Sequence, residues 1–163
     1  ADVDDAVIFI VADQLNKGRN LIQTREEKLE LARLNLGAAR KAKENSAFYP
    51  AADYLNAGIS VMDKSDRWTE ETYTLSLSLY TLLVEMERCV GHCDTCYETV
   101  HHIVMHGRSL DDKIPSLLVQ IDALGSGGKA TRAIGEATNL LGQLGERFPK
   151  NPGKIAIGLE FMK

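Results

Sequence analysis

The sequence contains no hydrophobic run long enough to cross a membrane. Its longest strongly apolar stretch is the ten residues 75–84, which Ser76, Ser78 and Thr81 interrupt, whereas a membrane-spanning helix needs about 20 apolar residues. The start of the chain also lacks the basic stretch and apolar core of a secretion signal. We therefore expect a cytoplasmic protein without a membrane span.

Cysteine is scarce. The three cysteines are odd in number and cluster at Cys89, Cys93 and Cys96, which is a poor framework for disulfide bonds. A reducing compartment such as the cytosol suits this usage better than an oxidising one.

Neither sign of charge dominates the chain. The net charge of −4 and the isoelectric point near 5.6 show no overall basic excess, so we expect no nucleic-acid partner. The 163 residues suit a single domain. Because the first residue is Ala1 and the chain stops within the apolar segment 155–162, we expect a fragment of a larger multidomain protein.

Proline is rare, with four in the chain, and a long alternation of apolar and polar residues is absent. Apolar residues instead recur at helical spacing, which predicts an all-α fold. Helices are expected over residues 4–15, 24–45, 51–62, 68–90, 93–106, 110–124 and 129–144. Thr24 followed by Glu27 predicts a capping box at the start of the second helix.

The predicted helix 68–90 carries two apolar stripes on opposite sides. One contains Leu75, Leu79, Leu82, Leu83, Met86 and Val90; the other contains Tyr73, Leu77, Tyr80 and Val84. A helix of this kind needs neighbours on both sides, which is typical of a layered helical array. We interpret both tyrosines as core residues rather than ligand platforms.

A degenerate internal repeat supports the array. Ala51, Cys96 and Ala133 occupy equivalent places in three similarly spaced apolar patterns, 45 and 37 residues apart. Small residues there allow paired helices to approach closely. The pattern predicts antiparallel helix hairpins that stack as a tetratricopeptide-like superhelix or solenoid fragment.

Four segments carry a more specific resemblance. They read VADQLNKGRNLI (11–22), LARLNLGAARKAKENSAFYPAADYLNAGISVM (31–62), W-x4-Y-x-L-x-L-x-L (68–79) and LGQLGERFPKNP (141–152). In this order they resemble the helical region that follows the AAA/STAND-type ATPase module in large multi-sensor signalling proteins, which join kinase-like, ATPase, GAF and histidine kinase domains. The resemblance departs at Ala39, where a glycine is common, and through residues 93–106.

The resemblance implies a tetratricopeptide-like, non-catalytic interaction and relay segment. It would couple an upstream nucleotide-binding module to downstream sensor or kinase domains, with neighbouring domains of the same polypeptide or other proteins as partners. The ATPase and kinase motifs lie outside this region, so the resemblance transfers no catalytic residue and no cofactor. An independent metal- or cofactor-binding helical bundle is the alternative.

The cysteines and histidines of residues 89–106 are the candidates for a metal site. Zinc needs about four donors that converge. On a helical wheel Cys93 and Cys96 share a side with Val100 and Ile103, whereas His102 and His106 lie almost opposite. We therefore interpret the cysteines as small apolar contact residues and these histidines as solvated, and we assign no metal ligand.

Other candidate sites do not meet their chemical requirements. The glycine-rich stretch 125–131 has Ala123 and Ala130 where a phosphate-binding loop needs glycine and serine or threonine, so we interpret it as a turn between helices. Cys96 and His101 point to different sides of their helix, and no motif for an activated nucleophile surrounds the thiol. We expect no catalytic residue.

Arg33 and Arg40 are the candidate interaction residues. They lie on one polar strip of the second helix with Glu26, Glu30, Gly37 and Lys41. If that strip faces a groove, the two arginines would meet an acidic partner segment. The alternative is a solvated helix face with ion pairs three or four residues apart.

Overall fold

A computed structural model of the chain describes residues 3–146, a range that excludes the apolar segment 155–162. The helices are α1 (Val3–Lys17), α2 (Arg25–Glu44), α3 (Phe48–Val61), α4 (Tyr73–Cys89), α5 (Cys93–His106), α6 (Leu110–Ser126) and α7 (Ala130–Gln143), with a short 3-10 turn at Arg19–Leu21.

The predicted all-α class is confirmed, and residues 3–146 contain no strand. The helices pack as sequential antiparallel pairs, α2 with α3, α4 with α5, and α6 with α7, while α1 packs on α2. Helix α4 also contacts α2 and α6, so successive pairs lie side by side. In this described part of the chain, each helix is too short or too polar to span a membrane.

Two capping boxes fix the starts of α2 and α6. The Thr24 hydroxyl accepts a hydrogen bond from the Glu27 amide, and the Glu27 carboxylate accepts one from the Thr24 amide. Ser109 and Asp112 make the same reciprocal pair at α6. Each box satisfies amide groups that a helix start leaves free. The Thr24–Glu27 prediction is thus confirmed.

Small residues bring the paired helices close together. Ala51, Cys96 and Ala133 are all buried, and each is the fourth residue of the second helix in its pair, as the internal repeat predicts. Gly58 of α3 marks a close approach to α2 and α4, because a Cβ added there would lie 3.1 Å from both Leu79 Cδ2 and Asn35 Cβ. A larger side chain at position 58 would push α3 away from α2 and α4.

Both apolar stripes of α4 are covered, as predicted. Leu79, Leu83 and Met86 of the first stripe are buried, and so are Tyr73, Tyr80 and Val84 of the second; Leu75, Leu77, Leu82 and Val90 are half-buried. Leu79 faces Gly58 of α3, whereas the Tyr80 ring lies 5.5 Å from the ring of His102 in α5. Helix α4 is therefore a layer between its neighbours.

The predicted start of this helix at residue 68 is wrong, because α4 begins at Tyr73. Residues 63–72 form turns. The Thr72 hydroxyl donates to the backbone carbonyl of Asp66, and the hydroxyls of Thr69 and Thr72 are 2.9 Å apart. Such bonds give the backbone an alternative to the helix.

The glycine-rich stretch is a turn between helices, as predicted. Helix α6 ends at Ser126 and α7 begins at Ala130. Gly128 has a φ of 74°, a conformation that side chains with a Cβ rarely adopt. The backbone amide of Lys129 closes the turn on the carbonyl of Leu124 at 2.9 Å.

Candidate functional site

A groove of about 710 Å³ lies between α2, α4 and α6 and is called here the central groove. Helix α4 forms its floor, since this helix contacts both of the others. The side chains come from all three helices: Arg40, Lys43 and Glu44 of α2; Leu77, Ser78, Thr81, Leu82 and Glu85 of α4; Asp111, Asp112 and Pro115 of α6.

The two walls of the central groove carry charges of opposite sign that lack ion-pair partners among the described residues. Lys43 pairs with Glu85 across the floor, and Glu44 pairs with Lys41 at 3.1 Å. Within the described part of the chain, Arg40 on α2 and Asp111 on α6 have no ion-pair partner. Among residues 3–146, the groove therefore offers the cation of Arg40 on one wall and the anion of Asp111 on the other, with the apolar floor residues Leu77 and Leu82 between them.

Asp112 holds the α6 wall in place. Its carboxylate accepts a hydrogen bond of 2.6 Å from the Tyr73 hydroxyl and others from the amides of Ser109 and Arg108, at 2.9 and 3.1 Å. These bonds, above all that from Tyr73, lower the pKa of Asp112 below its ordinary value. The start of α6 is thus tied to the start of α4 through an ionised carboxylate.

The structure separates the two candidate arginines. Arg40 lines the central groove. Arg33 lies outside it, exposed, with its guanidinium 2.6 Å from the Glu30 carboxylate. Between them on the same side of α2, Gly37 is covered by α1, since a Cβ there would lie 3.1 Å from Ile8 Cδ1. The polar strip is therefore not one continuous binding face, and partner binding by either arginine stays a prediction.

An aromatic cluster joins the α3–α4 connection to α5. The Trp68 ring stacks on His106 with centroids 5.0 Å apart and planes at 8°, and lies 5.1 Å from the Tyr80 ring. His102 and His106 are exposed, as predicted, yet their rings also contact the aromatic rings of this cluster. Burial, with a smaller effect from His106, lowers the pKa of His102. Sequence reasoning missed this contact because Trp68 comes from a turn.

The cysteines occupy three environments. Cys89 is exposed, Cys93 is half-buried, and Cys96 is fully buried, with its thiol 3.8 Å from the carbonyl oxygen of Val84 in α4. Burial raises the pKa of Cys96 to about 11. The interpretation of Cys96 as a small residue at a tight helix contact is confirmed. In residues 3–146, no three His, Cys, Asp or Glu side chains are grouped to hold a metal ion.

Glu87 is a buried carboxylate near the end of α4. Glu87 is 6% exposed, and its Oε2 atom has no hydrogen-bond partner among residues 3–146. Burial raises the pKa of this carboxyl, while the hydroxyls of Thr99 and Thr95 act in the opposite direction. Sequence reasoning gave no sign of this site, because its cause is the packing of α5 against α4.

Replacing Glu87 with glutamine is expected to stabilise the protein at pH 7 by about 1 kcal/mol. A carboxyl whose pKa is raised by folding costs stability as the pH rises above the unfolded-state pKa, because the unfolded chain ionises more readily. The gain from Glu87→Gln should therefore shrink from pH 7 to pH 4.

Urea unfolding followed by circular dichroism at both pH values measures this gain. Glu146, which is exposed after the end of α7, provides the control, and Glu146→Gln should change the free energy of unfolding by less than about 0.5 kcal/mol. A gain for Glu87→Gln that is equal at pH 4 and pH 7 would show that the buried charge is not its cause.

Comparison with known proteins gives a partial similarity to a signalling kinase. The chain is 28% identical over 93 residues to "Hybrid signal transduction histidine kinase G" of Dictyostelium discoideum, a region that covers 53% of this chain and 3% of that protein. No protein-family model and no solved structure matches the chain. The chain is thus a helical segment distantly related to a small part of a signal-transduction histidine kinase.

Proposed function

We propose that the chain is a tetratricopeptide-like, non-catalytic interaction and relay segment of a larger cytoplasmic signalling protein. It holds a segment of a neighbouring domain or of a protein partner in the central groove. The observation that carries the proposal is the pair of charges Arg40 and Asp111, which have no ion-pair partner within residues 3–146 and lie on opposite walls of an apolar floor. The similarity to a signalling histidine kinase supports the proposal that the chain belongs to a signalling protein.

The packing of α4 supports the relay part of the proposal. This helix contacts α2, α3, α5 and α6, so displacement of one helix pair bears directly on the next. A segment bound across α2, α4 and α6 touches every pair at once. Binding in the central groove would therefore favour one relative arrangement of the pairs over others.

The charges define the expected ligand. A bound segment should present an acidic side chain to Arg40, a basic side chain to Asp111, and apolar side chains to Leu77 and Leu82. Arginine binds carboxylates through paired, charge-assisted hydrogen bonds. Complementary charge at both walls would fix the direction in which the segment lies.

Site-specific crosslinking in the full-length parent protein tests this proposal. A photoreactive amino acid in place of Thr81, on the groove floor, should capture a segment from another domain or protein, identified by mass spectrometry. The same group in place of Asn56, exposed on α3 and outside the groove, is the control. Equal capture at both positions, or none at Thr81, would overturn the proposal.

The arginines supply a charge-reversal test of the same site. Arg40→Glu is expected to reduce capture at position 81 by about tenfold, as the loss of one charge-assisted contact predicts. Arg33→Glu reverses the same charge on the same helix outside the groove, and should leave capture unchanged. Similar losses for the two variants would show a nonspecific effect of net charge.

A further inference from the structure

Helix α1 is apolar on two sides, and the other described residues cover only one of them. Its inner side is covered: Ala12 is fully buried, and the Phe9 ring stacks on Tyr54 of α3 with centroids 5.8 Å apart. Its outer side carries Val7, Ile10, Val11 and Leu15, which are 41–60% exposed. These four residues are called the outer face of α1.

The concentration of exposed aliphatic residues on α1 is unlike the rest of the array. Each of the other described helices exposes at most one large hydrophobic side chain. Helix α4 shows what a two-sided helix does inside this array, since both of its stripes are covered by neighbours. The outer face of α1 therefore has the character of an interface without its partner.

An apolar groove of about 510 Å³ continues the outer face toward α2. Leu15, Ile22, Leu31 and Leu34 form its apolar part, and the glutamates at positions 26, 27 and 30 line its edge. The outer face of α1 and this groove together form a strip of aliphatic side chains with carboxylates at one end.

The charge at that end is negative and only partly balanced. Glu30 pairs with Arg33. Glu27 bonds Thr24 in the capping box, and those bonds lower the pKa of its carboxyl. Glu26 is exposed and has no ion-pair partner within the described residues. The end of the groove therefore attracts a cationic group.

We propose that the outer face of α1 and this groove bind an amphipathic helix with basic residues at one end. Leucine-like side chains at helical spacing cover Val7, Ile10, Val11 and Leu15, and a lysine or arginine lies over Glu26. Helices commonly bind apolar strips in this way. The acidic edge selects against an anionic membrane surface, and a second copy of this chain would bring the same acidic edge.

Binding of two synthetic helical peptides to the 163-residue chain tests the proposal. The peptides share a face of leucines at helical spacing; one carries lysines at one end and the other carries glutamates there. Fluorescence anisotropy should show the lysine peptide binding at least about tenfold more tightly than the glutamate peptide. Equal affinity of the two peptides, or no binding, would overturn the proposal.

Surface variants locate the site. Val7→Ser with Val11→Ser should weaken the lysine peptide by about tenfold or more, with the helical circular dichroism spectrum unchanged. Glu26→Lys should reverse the preference between the peptides. Glu98→Lys makes the same change at an exposed position of α5 and should preserve the preference. Arg40→Glu in the central groove should leave peptide affinity unchanged. The proposal for the outer face of α1 and the proposal for the central groove can therefore be contradicted independently.

Two other occupants of the outer face of α1, a second copy of the chain and a membrane, can be detected with the same proteins and peptides. Concentration-dependent dimerisation in analytical ultracentrifugation, abolished by the Val7 and Val11 changes and without preference for the lysine peptide, would assign the face to a second copy and overturn the proposal. Binding to vesicles containing phosphatidylserine more tightly than to the lysine peptide would assign it to a membrane and overturn it as well.

Discussion

Replacing Leu79 with alanine is expected to lower the free energy of unfolding by about 2 to 5 kcal/mol. The Leu79 side chain is fully buried and lies against Gly58, where α3 and α4 pack closely. Truncation removes buried apolar surface and leaves a cavity that rigid neighbouring helices fill only in part. Urea unfolding of the 163-residue chain at neutral pH measures the loss.

Leu118 provides the matched control for this substitution. It is also a helical leucine, but in α6 it is 54% exposed. Leu118→Ala should cost less than about 1 kcal/mol, because much of its side chain is already in water. Comparable losses for the two variants would mean that the contact between α3 and α4 does not hold the array together.

Replacing Asn35 with aspartate is expected to destabilise the protein by about 3 kcal/mol at pH 7. Asn35 of α2 is fully buried and exchanges two hydrogen bonds with Asn16 of α1, at 2.7 and 2.9 Å. Its amide also donates to the Leu31 carbonyl at 2.9 Å. A carboxylate can still accept the bond from Asn16, but it cannot donate the bonds that the Asn35 amide gives to Asn16 Oδ1 and to the Leu31 carbonyl. An uncompensated charge would therefore replace a satisfied amide.

The effect of Asn35→Asp should depend on pH in a defined direction. Burial without a cationic partner raises the pKa of an aspartate, so the variant should regain stability as the pH falls and the carboxyl becomes protonated. Because one of the lost bonds joins α2 to Asn16 of α1, amide hydrogen exchange in α1 should increase more than exchange in α4.

Asn56 provides the control for the second prediction. It is an exposed helical asparagine of α3, and Asn56→Asp should change stability by less than about 0.5 kcal/mol at either pH. Unchanged exchange in α1 on Asn35→Asp would show that the amide pair with Asn16 does not attach that helix.

Features that depend on neighbours along the chain were predictable. Thr24 and Glu27 are three residues apart, so their capping box is visible in the sequence. The two stripes of α4 follow from helical spacing alone, and both are covered. The start of α4 was missed because Thr69 and Thr72 hydrogen-bond within the preceding turns, an alternative to the helix that apolar spacing does not report.

Contacts between distant residues set the candidate sites. Tyr73 and Asp112 are 39 residues apart, and nothing in either segment indicates their hydrogen bond. Arg33 and Arg40 lie on one side of α2, yet only Arg40 lines the central groove. The buried position of Glu87 likewise depends on how α5 crosses the end of α4. A helical wheel predicts the side of a helix on which a residue lies, but not which other helix packs against that side.

The sequence alone determined the all-α class, most of the helices, the two-sided character of α4 and the close helix contact at Cys96. These follow from backbone hydrogen bonding and apolar spacing within one helix, which act over a few residues. Only the tertiary structure decided that Arg40 and Asp111 share a groove and that Glu87 is buried. It also decided that the other residues of the described range 3–146 leave one apolar face of α1 uncovered. Those properties arise from the way separate helices cross, because burial and charge pairing depend on distances in space rather than along the chain.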